Sequence, residues 1–174
     1  MAKVAKFSEA MANYTSIMKS IEARQFAPIY LLAGDEGYFI DAIAERLAQS
    51  ILNEAERSFN QMTVYGADSD TGKIVMLCRQ LPMMGNYQVV IVREAQQLEK
   101  IENLVHYTSS PQNSTILVIC YKNKEQSKGL DKRTAFYKSC VKEGCYFESV
   151  RPKEYEIDQW LSSHISSRGL GIEP

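Results

Sequence analysis

The chain has 174 residues, 45% hydrophobic and 24% charged, which is a globular composition with enough apolar sequence for one sizeable core. A net charge of -1 and a pI near 6.2 remove the bulk electrostatic case for a dedicated nucleic-acid or membrane-surface binder. No apolar run approaches the roughly 18 residues of a spanning helix, and the start, Met1-Ala2-Lys3-Val4-Ala5-Lys6, has no signal-peptide core, so a cytoplasmic protein without a membrane partner is expected.

Phe7, Met11, Tyr14, Met18 and Ile21 recur at helical spacing and predict an opening amphipathic helix. After Pro28, Ile29-Tyr30-Leu31-Leu32-Ala33 is a short continuous apolar run, the pattern of a strand covered on both faces. Gly34-Asp35-Glu36-Gly37 is the turn that follows. Ile40, Ile43, Ala44, Leu47, Ala48 and Ile51 then repeat at three and four, which predicts a strong helix. Residues 59–65 alternate more and read as a strand nearer a sheet edge. A loop from Gly66 leads to an Asp70-Thr71 helix start, with Ile74, Leu77, Cys78 and Leu81 on its apolar face.

Leu81-Pro82-Met83-Met84-Gly85-Asn86-Tyr87 must hold a helix end and a turn, punctuated by Pro82 and Gly85. Tyr87-Gln88-Val89-Val90-Ile91-Val92 reads as a buried central strand. Leu98, Ile101, Leu104 and Val105 mark the next helix, and Ser109-Ser110-Pro111-Gln112-Asn113 a turn. Residues 115–121 form the clearest buried strand, and 122–129 a polar, mildly basic loop. Leu130-Asp131-Lys132-Arg133 is expected to open a helix carried by Tyr137, Cys140 and Val141 and stopped by Gly144. Residues 145–150 are a fifth strand. Pro152 suits the first turn of a last helix lined by Ile157, Trp160, Leu161, His164 and Ile165, where His164 reads as a packed side chain rather than a ligand.

Alternation of apolar strands with helices predicts an α/β fold: a five-stranded, mainly parallel sheet flanked by helices. Residues 1–168 are read as one domain. The hinge-like stretch 169–174 is read as the start of a linker to a second domain absent from this chain.

Little of the chemistry of a catalyst is present. Cys78, Cys120, Cys140 and Cys145 form no CxxC pair and read as reduced, mostly buried thiols, and His106 and His164 lie outside any ligand-spaced cluster, so no metal or cofactor is expected. The strand, glycine turn and helix at 29–51 is where a nucleotide-binding fold places its phosphate loop. The pattern G-x-x-x-x-G-K-[ST] begun at Gly34 needs Gly, Lys and Ser or Thr at 39, 40 and 41, where the chain has Phe39, Ile40 and Asp41. Asp35, Glu36 and Asp41 crowd carboxylates at a helix start that would otherwise favour one anion, with Asp35 read as the cap. After the central strand, Arg93-Glu94-Ala95 lacks the acidic pair that holds a metal-bound water. No nucleophile, base or carboxylate pair has catalytic spacing, so no catalytic residue is named.

The adjacent methionines at 83 and 84 are unusual in a turn. Neighbouring side chains point in different directions, so both are not expected to reach one core. Methionine is flexible and polarizable, which suits an adaptable contact on a partner. On the residues alone, the plainer reading is favoured: one methionine caps the core and the other is an ordinary exposed apolar residue.

Four stretches together resemble the delta subunit family of the bacterial DNA polymerase III clamp loader, in its N-terminal domain. They are Pro28-Ile29-Tyr30-Leu31-Leu32-Ala33-Gly34-Asp35-Glu36 with Tyr38-Phe39-Ile40-Asp41; Leu81-Pro82-Met83-Met84 with Val89-Val90-Ile91-Val92-Arg93; Leu130-Asp131-Lys132-Arg133-Thr134 with Tyr137-Lys138; and Gly169-Leu170-Gly171-Ile172-Glu173-Pro174. The resemblance implies an AAA+, P-loop NTPase-like domain with a degenerate phosphate loop (Gly34, Asp35, Glu36, Gly37). It implies no ATP hydrolysis and no activity of its own within the DNA polymerase III holoenzyme. It also implies binding to the sliding clamp, the beta subunit, and opening of that ring for loading onto primed DNA. The gamma/tau and delta prime subunits would be met mainly through the absent C-terminal domain, and DNA indirectly. Met83 and Met84 stand where the family has two adjacent apolar residues, often leucine and phenylalanine; this reverses the plainer reading of the pair. Leu81, Pro82, Arg79 and Gln80 are flanking candidates.

Two other functions stay open at this stage. One is a nucleotide-dependent enzyme with a variant phosphate site at 34–37. The other is weak, salt-sensitive DNA contact through Lys122, Lys124, Lys128, Lys132 and Arg133.

Overall fold

Continuous burial of the central strands sets the layering. In the computed structural model, which describes residues 6–123 and 129–167, strand β1 (Ile29–Gly34) is buried at all six positions. Strands β3 (Gln88–Arg93) and β4 (Thr115–Lys122) are buried over most of their length. Strands β2 (Gln61–Tyr65) and β5 (Cys145–Ser149) complete a sheet in the order β2-β3-β4-β1-β5, with every pairing parallel. Parallel neighbours need crossovers, and the crossing helices cover both faces.

On one face, Tyr30, Leu32, Val89, Ile91, Val118 and Phe147 pack under helices α1 (Phe7–Glu22) and α2 (Gly37–Ser50). On the other, Leu31, Val90, Val92, Leu117 and Ile119 meet α4 (Thr71–Cys78), α5 (Val105–Thr108) and α6 (Ala135–Glu143). The period-2 alternation of each strand divides its apolar residues between two cores. Helix α7 (Glu154–Ser167) brings Trp160 against Phe39 and Tyr38, with ring centroids 5.5 and 5.8 Å apart.

Four elements depart from the sequence expectation. The stretch 59–65 is not one strand, because helix α3 (Glu54–Asn60) precedes β2 and leaves Phe59 exposed at its end. Its cause is a capping box, in which Asn53 Oδ1 accepts the Glu56 N–H and the Glu56 carboxylate accepts the Asn53 N–H. Helix α4 stops at Cys78, so Leu81 lies beyond it and is 73% exposed. The helix expected over Leu98, Ile101, Leu104 and Val105 breaks into 3-10 turns and a single α turn, since Glu94 and Lys100 adopt left-handed φ of 50° and 52°. Leu130-Asp131-Lys132-Arg133 opens no helix: the Asp131 carboxylate accepts from the Arg133 N–H and guanidinium, and α6 starts one residue after its Thr134 cap.

Pro152 lies two residues ahead of α7 rather than within its first turn. The His164 side chain and residues 168–174 lie outside the described residues.

Cys78, Cys120 and Cys140 are free and buried, and burial pushes each thiol up to about 12. Burial also raises the half-buried Cys145. The thiolate is the reactive form, so at neutral pH a thiol-specific reagent should label Cys145 first, and the other three only after denaturant is added. Rapid native labelling of Cys120 would contradict this burial.

Candidate functional site

The carboxyl ends of the strands hold the glycine turn. Strand β1 ends at Gly34 and α2 begins at Gly37, which leaves only Asp35 and Glu36 between them. Gly34 has φ +145°, and a Cβ there would lie 1.9 Å from the Ser149 carbonyl oxygen of β5. The Asp35 N–H donates to that same carbonyl (2.9 Å). Ser149 Oγ donates to the Glu36 carbonyl (2.6 Å), and the Asn123 N–H to the Gly34 carbonyl (2.8 Å). Glu36 rather than Asp35 caps α2, accepting the Tyr38 N–H at 3.1 Å, while Asp35 accepts from Asn123 Nδ2 at 2.8 Å. Phosphate loops bind through a ring of free backbone N–H groups at a helix start. Here the Asp35 and Tyr38 donors already have partners within the protein.

One turn into α2, Asp41 accepts from Lys122 Nζ (2.9 Å) and Arg93 Nη1 (3.2 Å). Arg93 also pairs with Glu45 (3.4 Å), and Lys122 with Glu94 (3.4 Å). Burial works against the charged Lys122 amine. The Asp41 hydrogen bond and the Asp41 and Glu94 charges outweigh it, and hold the pKa above its ordinary value. The ends of β3 and β4 are thus tied to α2 by opposite charges beside the glycine turn. Of the five cations considered for DNA contact, Lys122 has these partners, Lys132 pairs with Glu148 (2.6 Å), and Arg133 pairs with Asp131 (2.9 Å). Lys124 and Lys128 lie outside the described residues. Among those described, no group of three or more His, Cys, Asp or Glu is placed to hold a metal, and no helix is long and apolar enough to cross a membrane.

The amino ends of the strands carry the methionine turn. Its base is rigid: Thr115 Oγ1 donates to the Cys78 carbonyl at the end of α4 (2.9 Å), and the Gln88 N–H to the Ser114 carbonyl (2.7 Å). From this base Leu81, Met83 and Met84 project, 73%, 76% and 49% exposed, and neither methionine joins a core. Pro82 is half-buried between them, and Arg79 and Gln80 are exposed beside them. Arg79 donates to the His106 carbonyl (3.3 Å). The turn backbone is gripped by Asn60, the fully buried last residue of α3. Its Oδ1 accepts the Met83 N–H (2.8 Å), and its Nδ2 donates to the Met84 carbonyl. The sequence does not single out Asn60, because its residue pattern places that stretch near a strand. The Asn53-x-x-Glu56 capping signature was the available clue.

A parallel sheet in this order, with a glycine turn after a central strand and helices on both faces, is a doubly wound α/β architecture, an AAA+-like fold. Among solved structures the chain is similar to the DNA clamp loader delta protein of Bacillus subtilis, with a TM-score of 0.74 and 20% identity, over 89% of this chain and 48% of that one. It is also similar to the RuvB Holliday junction branch migration motor of Thermotoga maritima, with a TM-score of 0.52 and 15% identity, over 97% and 53%. At these identities the likeness establishes the fold. In sequence it is similar to the DNA polymerase III subunit delta of Bacillus subtilis (strain 168), with 27% identity over an alignment of 129 residues that covers 67% of this chain and 37% of that protein. The chain therefore spans well under half the length of that relative. The family model for DNA polymerase III, delta subunit, matches residues 30–148, and the chain belongs to that family.

Proposed function

We propose that this chain is the clamp-engaging domain of a clamp-loader subunit. It binds the sliding clamp (the beta subunit) through the turn at Met83 and Met84, and holds the ring open for loading onto primed DNA. The observation that carries this reading is the turn itself: three large apolar side chains at 81, 83 and 84 stand exposed on a backbone fixed by a buried side chain. Exposed apolar groups on a rigid support suit a central anchor in a partner's pocket. Opening a ring requires tighter binding to the open form than to the closed one. Arg79 and Gln80, exposed beside the anchor, are assigned that second contact.

In the same reading residues 1–168 form the domain and 169–174 lead to a second one, through which the gamma/tau and delta prime subunits are mainly met. DNA is reached indirectly. The domain hydrolyses no ATP and has no enzymatic activity of its own. Support comes from Asp41, which pairs with both Lys122 and Arg93 where a nucleotide's charges would lie. The test is a titration of the protein with millimolar ATP and magnesium, followed by its melting temperature. No upward shift is expected; clear stabilisation would overturn the ATP-free part and favour a nucleotide-dependent enzyme.

Clamp binding is tested by comparing the wild-type protein with a Met83→Ala, Met84→Ala double variant on the cognate clamp.

A further inference from the structure

We infer that Asn60 is a positioning residue for clamp binding: its side-chain amide holds the Met83-Met84 backbone in the presenting conformation before the partner arrives. The inference rests on the clamp-binding reading.

Asn60 is fully buried although its side chain is wholly polar, and a buried amide is costly unless both its ends are bonded. Both are bonded here, and both bonds go to the turn. The carbonyl end accepts the Met83 N–H at 2.8 Å, and the amino end donates to the Met84 carbonyl. A backbone amide in a β ladder offers the same donor and acceptor pair, so the turn docks on α3 as a strand would on its neighbour. Helix α3 supports the turn a second time. Gly85 has φ +69°, and a Cβ there would meet Glu56 Oε1 at 2.1 Å, so the chain passes directly over the capping-box carboxylate.

The physical consequence is preorganisation. Methionine side chains are flexible, and a mobile backbone beneath them would add ordering cost to every binding event. Asn60 removes the backbone share of that cost. It touches no partner, so its effect on affinity passes entirely through the placement of Met83 and Met84.

Asn60→Asp tests this with little change of shape. A protonated Asp reproduces the amide: its C=O accepts from Met83, and its O–H donates to the Met84 carbonyl. An ionised Asp sets an oxygen lone pair against that carbonyl. Burial raises a carboxyl pKa and the Met83 N–H lowers it, with the facing carbonyl adding to the rise. The clasp is therefore whole below the folded-state pKa and is lost as pH rises through it. The titratable groups on the two elements that meet here are Glu54, Glu56 and Arg57 of α3, and Arg79 and Tyr87 of the turn segment. Glu56 is held by the Asn53 N–H, Arg79 donates to His106, and Tyr87 packs edge-on against Phe26.

The experiment measures affinity for the purified cognate clamp at about pH 8 and about pH 5, using the full-length protein well below its melting temperature. Wild type, Asn60→Asp and the Met83/Met84 double alanine are compared, with hydrogen-exchange protection of the Met83 amide read in parallel. Expected is an affinity loss of roughly tenfold for Asn60→Asp at the higher pH, narrowing toward wild type at the lower. Met83 protection should fall and recover with it. Wild-type affinity for Asn60→Asp at the higher pH would overturn the inference and leave the clamp reading standing. So would a loss of affinity with the Met83 amide as protected as in wild type, because the effect would then not pass through the turn backbone. If wild type does not bind the clamp, or the double alanine binds as wild type does, the clamp reading itself falls, whatever Asn60 does to the amide.

Discussion

Replacing Met83 and Met84 together by alanine is expected to leave the domain folded and to weaken clamp binding by at least about tenfold, or about 1.4 kcal/mol. The fold should tolerate the change because the side chains are 76% and 49% exposed and lie outside both cores. Surface substitutions of this kind usually shift stability by no more than about 0.5 kcal/mol. Burying both thioether side chains in a pocket would contribute roughly 3–6 kcal/mol by area. Ordering two flexible side chains costs up to about 2 kcal/mol each, so the net loss on truncation lies below the gross value. Binding calorimetry against the cognate clamp, with thermal melts of both proteins, checks it. Unchanged affinity would remove the assignment of these residues. Methionine offers apolar volume without an aromatic ring, so in the proposed reading the matching pocket need not offer an aromatic face.

Gly34→Ala should be the most damaging glycine-to-alanine substitution among the described residues. The new Cβ would stand 1.9 Å from the Ser149 carbonyl oxygen and 2.7 Å from its carbonyl carbon and amide nitrogen, all backbone atoms. That backbone cannot withdraw freely. Ser149 pairs with Gly34 in the β1–β5 ladder, its carbonyl accepts the Asp35 N–H, and its hydroxyl donates to the Glu36 carbonyl. The φ of +145° adds strain that an L side chain does not tolerate. A loss of about 3 kcal/mol or more is expected, read as a lower urea midpoint or as a failure to fold. Gly37→Ala, three residues on, is the control. Its Cβ would meet only the Lys122 side chain at 3.5 Å, at the first position of a helix. Stability there should hold or rise by about 0.4–1 kcal/mol. Equal behaviour of the two variants would mean that β5 can move off β1.

Much of the fold was legible in the sequence. A strand buried on both faces must be apolar at successive positions, which is why 29–33, 87–92 and 115–121 stood out. The stronger alternation of residues 59–65 pointed to a sheet edge, which β2 occupies. The departure from the phosphate-loop pattern was readable too, since Phe39, Ile40 and Asp41 stand where that pattern has glycine, lysine and serine or threonine. Helix α3 was not found because seven residues are too short to display a helical period; its capping box was its one local signal. The 3-10 breaks after β3 follow from left-handed Glu94 and Lys100, a conformation that neither residue type announces.

By itself, then, the sequence determined the α/β class, the apolar runs that become strands, the family resemblance and the departure from the phosphate-loop pattern. Those properties depend on residue type and near-neighbour spacing. Only the tertiary structure decided that Lys122 neutralises Asp41 from 81 residues away, or that Asn60 clasps Met83 from 23. Parallel pairing sets β4 beside β1, and so the end of β4 beside the start of α2. The pairing of β2 with β3 likewise sets the end of α3 beneath the turn that enters β3. Both contacts join polar groups whose partners are fixed by sheet register, and register is a property of the packed sheet rather than of any one segment.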